Sequence, residues 1–147
     1  MIDNKSDVVI GITAGSFDLT HCGHYLMFEE CKGSCDYLIV LLQTNPNTDR
    51  PEKNVPIQST HERYLQVRAC KYIDEVVVYE TEQDLYNLLC SIKFDKRFIG
   101  SDWQNKQFTG HDIPGMTERI VFNSRNHGFS TSSLRARVHK AENDKLI

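Results

Sequence analysis

The chain has 147 residues, 39% apolar and 25% charged, with a formal net charge of −3. That length suits one domain around a single core, the composition is that of an ordinary soluble globular protein, and the charge excludes a protein that grips nucleic acid by bulk electrostatics. Any anion site has to be built from a few placed residues.

In chain order, the apolar run near the start is too short for a signal-peptide core or a membrane span, so a cytoplasmic protein with no membrane insertion is expected. "VVIGIT", 8–13, predicts a buried parallel strand. Residues 22–32 predict a helix, with Tyr25, Leu26, Met27 and Phe28 among polar neighbours and Gly33 as its stop. "YLIVLL", 37–42, is a second buried strand. The stretch 43–59 holds three of the four prolines and predicts a long mobile loop. A helix resumes at Thr60 and runs through "HERYLQVRACKY", with Leu65, Ala69 and Tyr72 along its inward face. "EVVVY", 75–79, is the third strand, and 82–92 the third helix, with Leu85, Leu88 and Leu89 inward. "RFIG", 97–100, and "RIVF", 119–122, are strands four and five, and "STSSLRARVHKAE" closes the chain as a helix.

This alternation predicts a single-domain, Rossmann-like α/β fold spanning 1–147: an open parallel five-stranded sheet with helices on both faces. Such sheets bind ligands outside the carboxyl ends of their strands, where strand order reverses. The polar segments 14–24, 100–111 and 123–132 follow strands and are where chemistry is expected. The five cysteines, Cys22, Cys31, Cys35, Cys70 and Cys90, are odd in number, contain no C-x-x-C pair and fit a reduced compartment. Cys31 and Cys35 lie one helical turn apart, but no partner pair stands at zinc-site spacing.

In the first segment, "GSFDLTHCGH" runs from a strand into a helix. Neither G-x-x-x-x-G-K-[ST] nor G-x-G-x-x-G is present. The free amides and positive end of the helix make a seat for phosphate. His21 and His24, three apart, fall on one side of its first turn, where imidazoles can donate to phosphoryl oxygens. Two other readings stay open on these residues alone. One is a metal held by His21, Cys22 and His24, which lacks a clear third arm; the other is a pair of histidines that merely fill a turn.

"GSFDLTHCGH" resembles the G-[TS]-F-D-x-x-H-x-G-H signature of the cytidylyltransferases. "HERYLQVRACKYIDEVV", "IGSDW" and "SRNHGFSTSS" are similar to that family's three later motifs, in the same order. By length and by "GSDW" the resemblance is closest to the glycerol-3-phosphate enzymes. It implies transfer of CMP from CTP to a small phosphorylated alcohol, here glycerol 3-phosphate, with release of pyrophosphate. It implies Mg²⁺ carried on the nucleotide phosphates, no metal ligands from the protein, and a homodimer. By position, it gives His21, His24, Lys53 and Arg125 the catalytic roles. Ser16, Phe17, Asp102, Gly128, Ser130, Thr131 and Ser132 join the nucleotide site, with Gly128 making a tight turn. Asp18, Arg63 and Asp74 take structural or acceptor roles. The sequence departs from the pattern at Asn126, Ser132 and Lys71, has one lysine in the 43–59 loop where two are usual, and has none in "ETEQDLYN". An ATP-using relative of the same fold and a binding module without turnover are the alternatives.

Overall fold

The computed structural model describes residues 7–147. Five strands, β1 (Ile10–Gly15), β2 (Tyr37–Gln43), β3 (Glu75–Tyr79), β4 (Lys96–Gly100) and β5 (Ile120–Asn123), alternate with helices α1 (Cys22–Lys32), α2 (Thr60–Arg68), α3 (Glu82–Ser91) and α4 (Thr131–Asp144). The sheet runs in the order β3-β2-β1-β4-β5 and every pairing is parallel. Strand order therefore reverses between β1 and β4, which opens a crevice at their carboxyl ends.

Alternation along β2 sorts the core into two layers. Leu38, Val40 and Leu42 point to the side covered by α1 and α2, where they meet Phe28, Cys31 and Val67. Ile39 and Leu41 point to the other side, where they meet Ile12, Tyr79 and the α3 residues Leu85 and Leu89. Helices thus cover both faces, and residues 38–43 of β2 are buried throughout. The thiols belong to this packing. Burial pushes Cys31 up to about 12, and Cys35 Sγ donates to the Cys31 carbonyl at 3.3 Å, so both stay protonated and structural.

Four details differ from the reading of the sequence. The first strand runs to Gly15, which pairs with Leu42, so the first polar segment begins only after it. α2 ends at Arg68 rather than running to Tyr72, and its inward residues are Arg63 and Val67; Leu65 is 40% exposed. Helix phase is set here by a capping box, Ser59 with Glu62, and by Arg63, whose guanidinium donates to the carbonyls of Ser16, Gln43, Thr44 and Gln58. The 43–59 stretch is tied down at several points. Gln43 completes β2, Pro46–Thr48 forms one turn of 3₁₀ helix, and Asn47 donates to the carbonyls of Pro51 and Lys53. Finally, α4 has no buried residue, and its half-buried residues, Thr131, Leu134 and Arg135, all lie in its first five positions. Among the described residues, no helix is long and apolar enough to cross a membrane.

Candidate functional site

The crevice at the switch point is a cleft of about 570 Å³. Its lining comes from the ends of β1 and β4, the starts of α1 and α4, and the loops after β2 and β5. Two helix N-termini meet there. His21 is the N-cap of α1, and its Nδ1 accepts the Gly23 amide at 3.0 Å. His24, one turn on, returns the contact: its Nδ1 accepts the His21 amide at 3.2 Å. Each histidine therefore takes the place of the serine and glutamate of an ordinary capping box.

That arrangement fixes the tautomers. A backbone N–H can only donate, so each Nδ1 is an acceptor and each neutral ring carries its proton on Nε2. His21 Nε2 lies 3.2 Å from the Thr131 hydroxyl, at the first residue of α4, and so joins the two helix starts. Both rings are neutral at pH 7. Burial, then His21 and Arg125, pulls His24 from 6.5 to about 4, and burial followed by His127 lowers His21. The rings stand 4.1 Å apart, and Phe17 packs edge-on to His24 at 5.9 Å. Glycine at position 23 is required for this: a Cβ there would fall 2.7 Å from His127 and 2.9 Å from His21.

On the opposite wall, Ser130 caps α4 by accepting the Ser133 amide at 3.1 Å, and Thr131 and Ser132 line the cleft beside it. Arg125 enters from the turn after β5 and is held by Asp102, whose Oδ1 lies 3.3 Å from Nη1. Among the described residues, the non-glycine residues with positive φ are Phe17, Leu19 and Arg125, at 48°, 49° and 49°. All three fall in the two segments that frame the cleft, which is where backbone strain is usually stored for function.

The residues named from the sequence separate accordingly. Ser16, Phe17, His21, His24, Lys53, Arg125, Ser130, Thr131 and Ser132 all line the cleft. Lys53 Nζ stands 5.9 Å from the Trp103 ring centre. Asp102 lies behind Arg125 rather than on the lining. Gly128 is not among the lining residues; its φ is not positive and a Cβ there would meet nothing within 4 Å, and the left-handed residue of this segment is Arg125. Asp18 spends its carboxylate on the amides of Ile57 and Gln58, both at 2.9 Å, and so fastens the 43–59 loop to the strand-to-helix turn. Arg63 is 1% exposed and ties backbone carbonyls together. Asp74 accepts the Leu38 amide and pairs with Lys32 at the amino end of β2, the far end of the sheet from the cleft. Arg63 and Asp74 hold structure.

The cleft also contains residues that the motifs did not single out: Gln43, Arg50, Tyr79, Glu82, Arg97 and His127. Arg97 had a readable signal, a charge inside a strand of a sheet covered on both faces. For Arg50, no spacing in the sequence distinguishes it from a solvated loop arginine.

A profile of the family described as cytidylyltransferase-like matches residues 12–137. The bifunctional protein HldE of Campylobacter jejuni subsp. jejuni is 32% identical over 131 residues, covering 88% of this chain and 28% of that protein. HldE of Helicobacter pylori is 30% identical over 136 residues, covering 92% of this chain and 28% of that one. The chain thus spans little more than a quarter of the length of these relatives. A protein described as an ethanolamine-phosphate cytidylyltransferase from Encephalitozoon cuniculi is 42% identical over 64 residues, 44% of this chain and 20% of that one. Among solved structures, a lipopolysaccharide core biosynthesis protein from Thermoplasma volcanium has the same fold at 19% identity, with a TM-score of 0.57 over 92% of this chain and 89% of that one. A Vibrio parahaemolyticus protein described as a nicotinate-nucleotide adenylyltransferase gives 0.58, also at 19% identity, over 91% and 88%. Five parallel strands in this order, paired histidines at the switch point and a profile match over most of its length place the chain in the cytidylyltransferase-like family of nucleotidyltransferases.

Proposed function

We propose that this protein transfers CMP from CTP to a small phosphorylated alcohol, glycerol 3-phosphate being the first acceptor to test, and releases pyrophosphate. The observation that carries this reading is the contact between His21 Nε2 and Thr131 Oγ1 at 3.2 Å. It sets two helix N-termini, two Nε2–H donors and Arg125 around one space, which is what a triphosphate needs. The acceptor phosphate attacks the α-phosphorus in line. It is already anionic near pH 7, so no strong general base is required and catalysis rests on positioning and charge stabilisation. Neutral histidines suit such chemistry, because they supply hydrogen bonds to oxygens that gain charge without holding the pyrophosphate as tightly as fixed cations would.

Mg²⁺ fits this site only as a passenger on the phosphates. Glu82 is the one carboxylate on the described lining, and a single carboxylate makes no oxygen cage. When bound through the phosphates, the ion supplies charge neutralisation. We also propose a homodimer through the 63–76 segment, within which Leu65 is 40% exposed and beside which Val78 is 43% exposed.

The test is a matrix of CTP and ATP against glycerol 3-phosphate, phosphoethanolamine and phosphocholine, read by pyrophosphate release. CTP with glycerol 3-phosphate is expected to turn over, and His24→Ala to cut that rate by about 10²–10³ while the variant stays folded at the assay temperature. Preference for ATP would overturn the choice of nucleotide. Wild-type turnover in His24→Ala would overturn the mechanism.

A further inference from the structure

The strand-end residues divide by sheet face. His21, His24 and Phe17 belong to the α1 side, where Phe17 packs with Phe28 and Phe98. Gln43, Tyr79 and Arg97 alternate with Leu42, Val78 and Phe98 and so point to the α3 side, where Tyr79 packs with Leu85 and Leu89. The second half of the cleft therefore lies over α3, and its polar groups form one network. Glu82 Oε1 lies 3.0 Å from Arg50 Nη2 and 3.4 Å from Gln43 Nε2. Glu82 Oε2 accepts the Thr109 hydroxyl at 2.7 Å, and Arg97 donates to the Thr109 carbonyl with its guanidinium 5.2 Å from the Phe108 ring centre.

Two features of that network are unbalanced. Arg97 is 5% exposed, and among the described residues no carboxylate lies within ion-pairing distance of it. Burial lowers it to about 10, so it is still cationic at pH 7. Arg63, the other deeply buried arginine, uses every nitrogen on protein oxygens. Arg97 uses Nη1 alone and presents the rest to the cleft. Arg50 Nε is likewise buried with no hydrogen-bond partner. An unpaired buried cation is costly unless an anion arrives to meet it.

We infer that the α3 side of the cleft is the acceptor subsite, with Arg97 and Arg50 on a phosphomonoester and Glu82 with Gln43 on the hydroxyls of its polyol. The inference rests on the nucleotidyl-transfer reading for the word "acceptor", while the binding site itself stands on the residues above. Two guanidiniums beside one carboxylate attract an anion and repel an ammonium head group. Phosphorylated polyols are thus the substrate class, and phosphocholine and phosphoethanolamine are disfavoured.

The experiment measures, by calorimetry, the binding of glycerol 3-phosphate, glucose 1-phosphate and phosphocholine to the whole chain with and without CTP, in the wild type and in Arg97→Gln, Arg97→Lys and Arg50→Gln. At least one phospho-polyol is expected to bind at least tenfold tighter than phosphocholine. Arg97→Gln and Arg50→Gln are expected to weaken it tenfold or more, while CTP affinity falls several-fold less. If Arg97→Gln fails to fold, Arg97→Lys and Arg50→Gln carry the comparison. Binding of no phospho-polyol, equal binding of phosphocholine, or equal losses for CTP and polyol phosphate would each overturn the assignment. Phospho-polyol binding that depends on Arg97, with no pyrophosphate released from any pair, would instead overturn the transfer reading and leave this subsite in place.

Discussion

His24 shows how one residue serves both the fold and the candidate chemistry. It closes the capping box of α1, and the burial that makes it a neutral donor also links it to pH. Its value falls from 6.5 to about 4 on folding, so the native state binds fewer protons than the unfolded state between those values. Its contribution to stability is therefore fully present above about pH 6.5 and is lost as pH falls toward 4. By linkage the loss is on the order of 3 kcal/mol. Urea unfolding of the wild type and of His24→Gln from pH 7 to pH 4 isolates it, because carboxylates common to both proteins cancel in the difference. The wild type is expected to lose about 3 kcal/mol more than the variant over that range; parallel curves would mean that His24 is not held neutral by the fold. The pairing of His21 with His24 was legible from the motif, but the tautomers were not, since they depend on which backbone amide each ring accepts.

At the scale of elements, what was legible followed hydrophobic runs. β2, β3 and α3 lie where their apolar patterns put them, because strands covered on both faces need unbroken apolar residues. α2 was harder to phase because its buried side carries an arginine, Arg63, which a hydrophobic count assigns to solvent. The 43–59 loop looked structureless because its anchors are side chains from elsewhere in the chain, above all Asp18. The start of α1 gives a test in which stability and function move in opposite directions. Gly23→Ala replaces a poor helix former with the best, a gain of up to about 1 kcal/mol. The added methyl would stand 2.7 Å from His127 and 2.9 Å from His21, and both rings must shift. The variant is expected to melt at the same temperature or higher while binding CTP at least tenfold more weakly, as checked by thermal denaturation and calorimetry. Unchanged affinity would show that the rings relax freely and that their placement does not set phosphate binding.

Over the whole molecule, the position of the cleft was legible from topology alone, because alternating strands and helices impose a switch point. Its α3 half was not, because Arg50, Glu82 and Arg97 are far apart in sequence and meet only once β2, β3 and β4 are placed. Folding also separates charge. The chain carries −3 overall, yet the described cleft lining presents Arg50, Lys53, Arg97 and Arg125 against Glu82 alone. A cationic cleft in an anionic protein focuses field on the ligand and repels it elsewhere, and mobile ions weaken that field over a screening length of about 10 Å at 0.1 M salt. Raising NaCl from 0.05 to 0.5 M is therefore expected to lower CTP affinity by about tenfold, while the urea midpoint moves little, since the ion pairs of the fold are mostly exposed and weak. Arg125→Gln should flatten the salt dependence as well as reduce affinity. A flat dependence in the wild type would mean that the triphosphate is held by amides and neutral imidazoles alone, and that the four cations serve the acceptor or the fold instead.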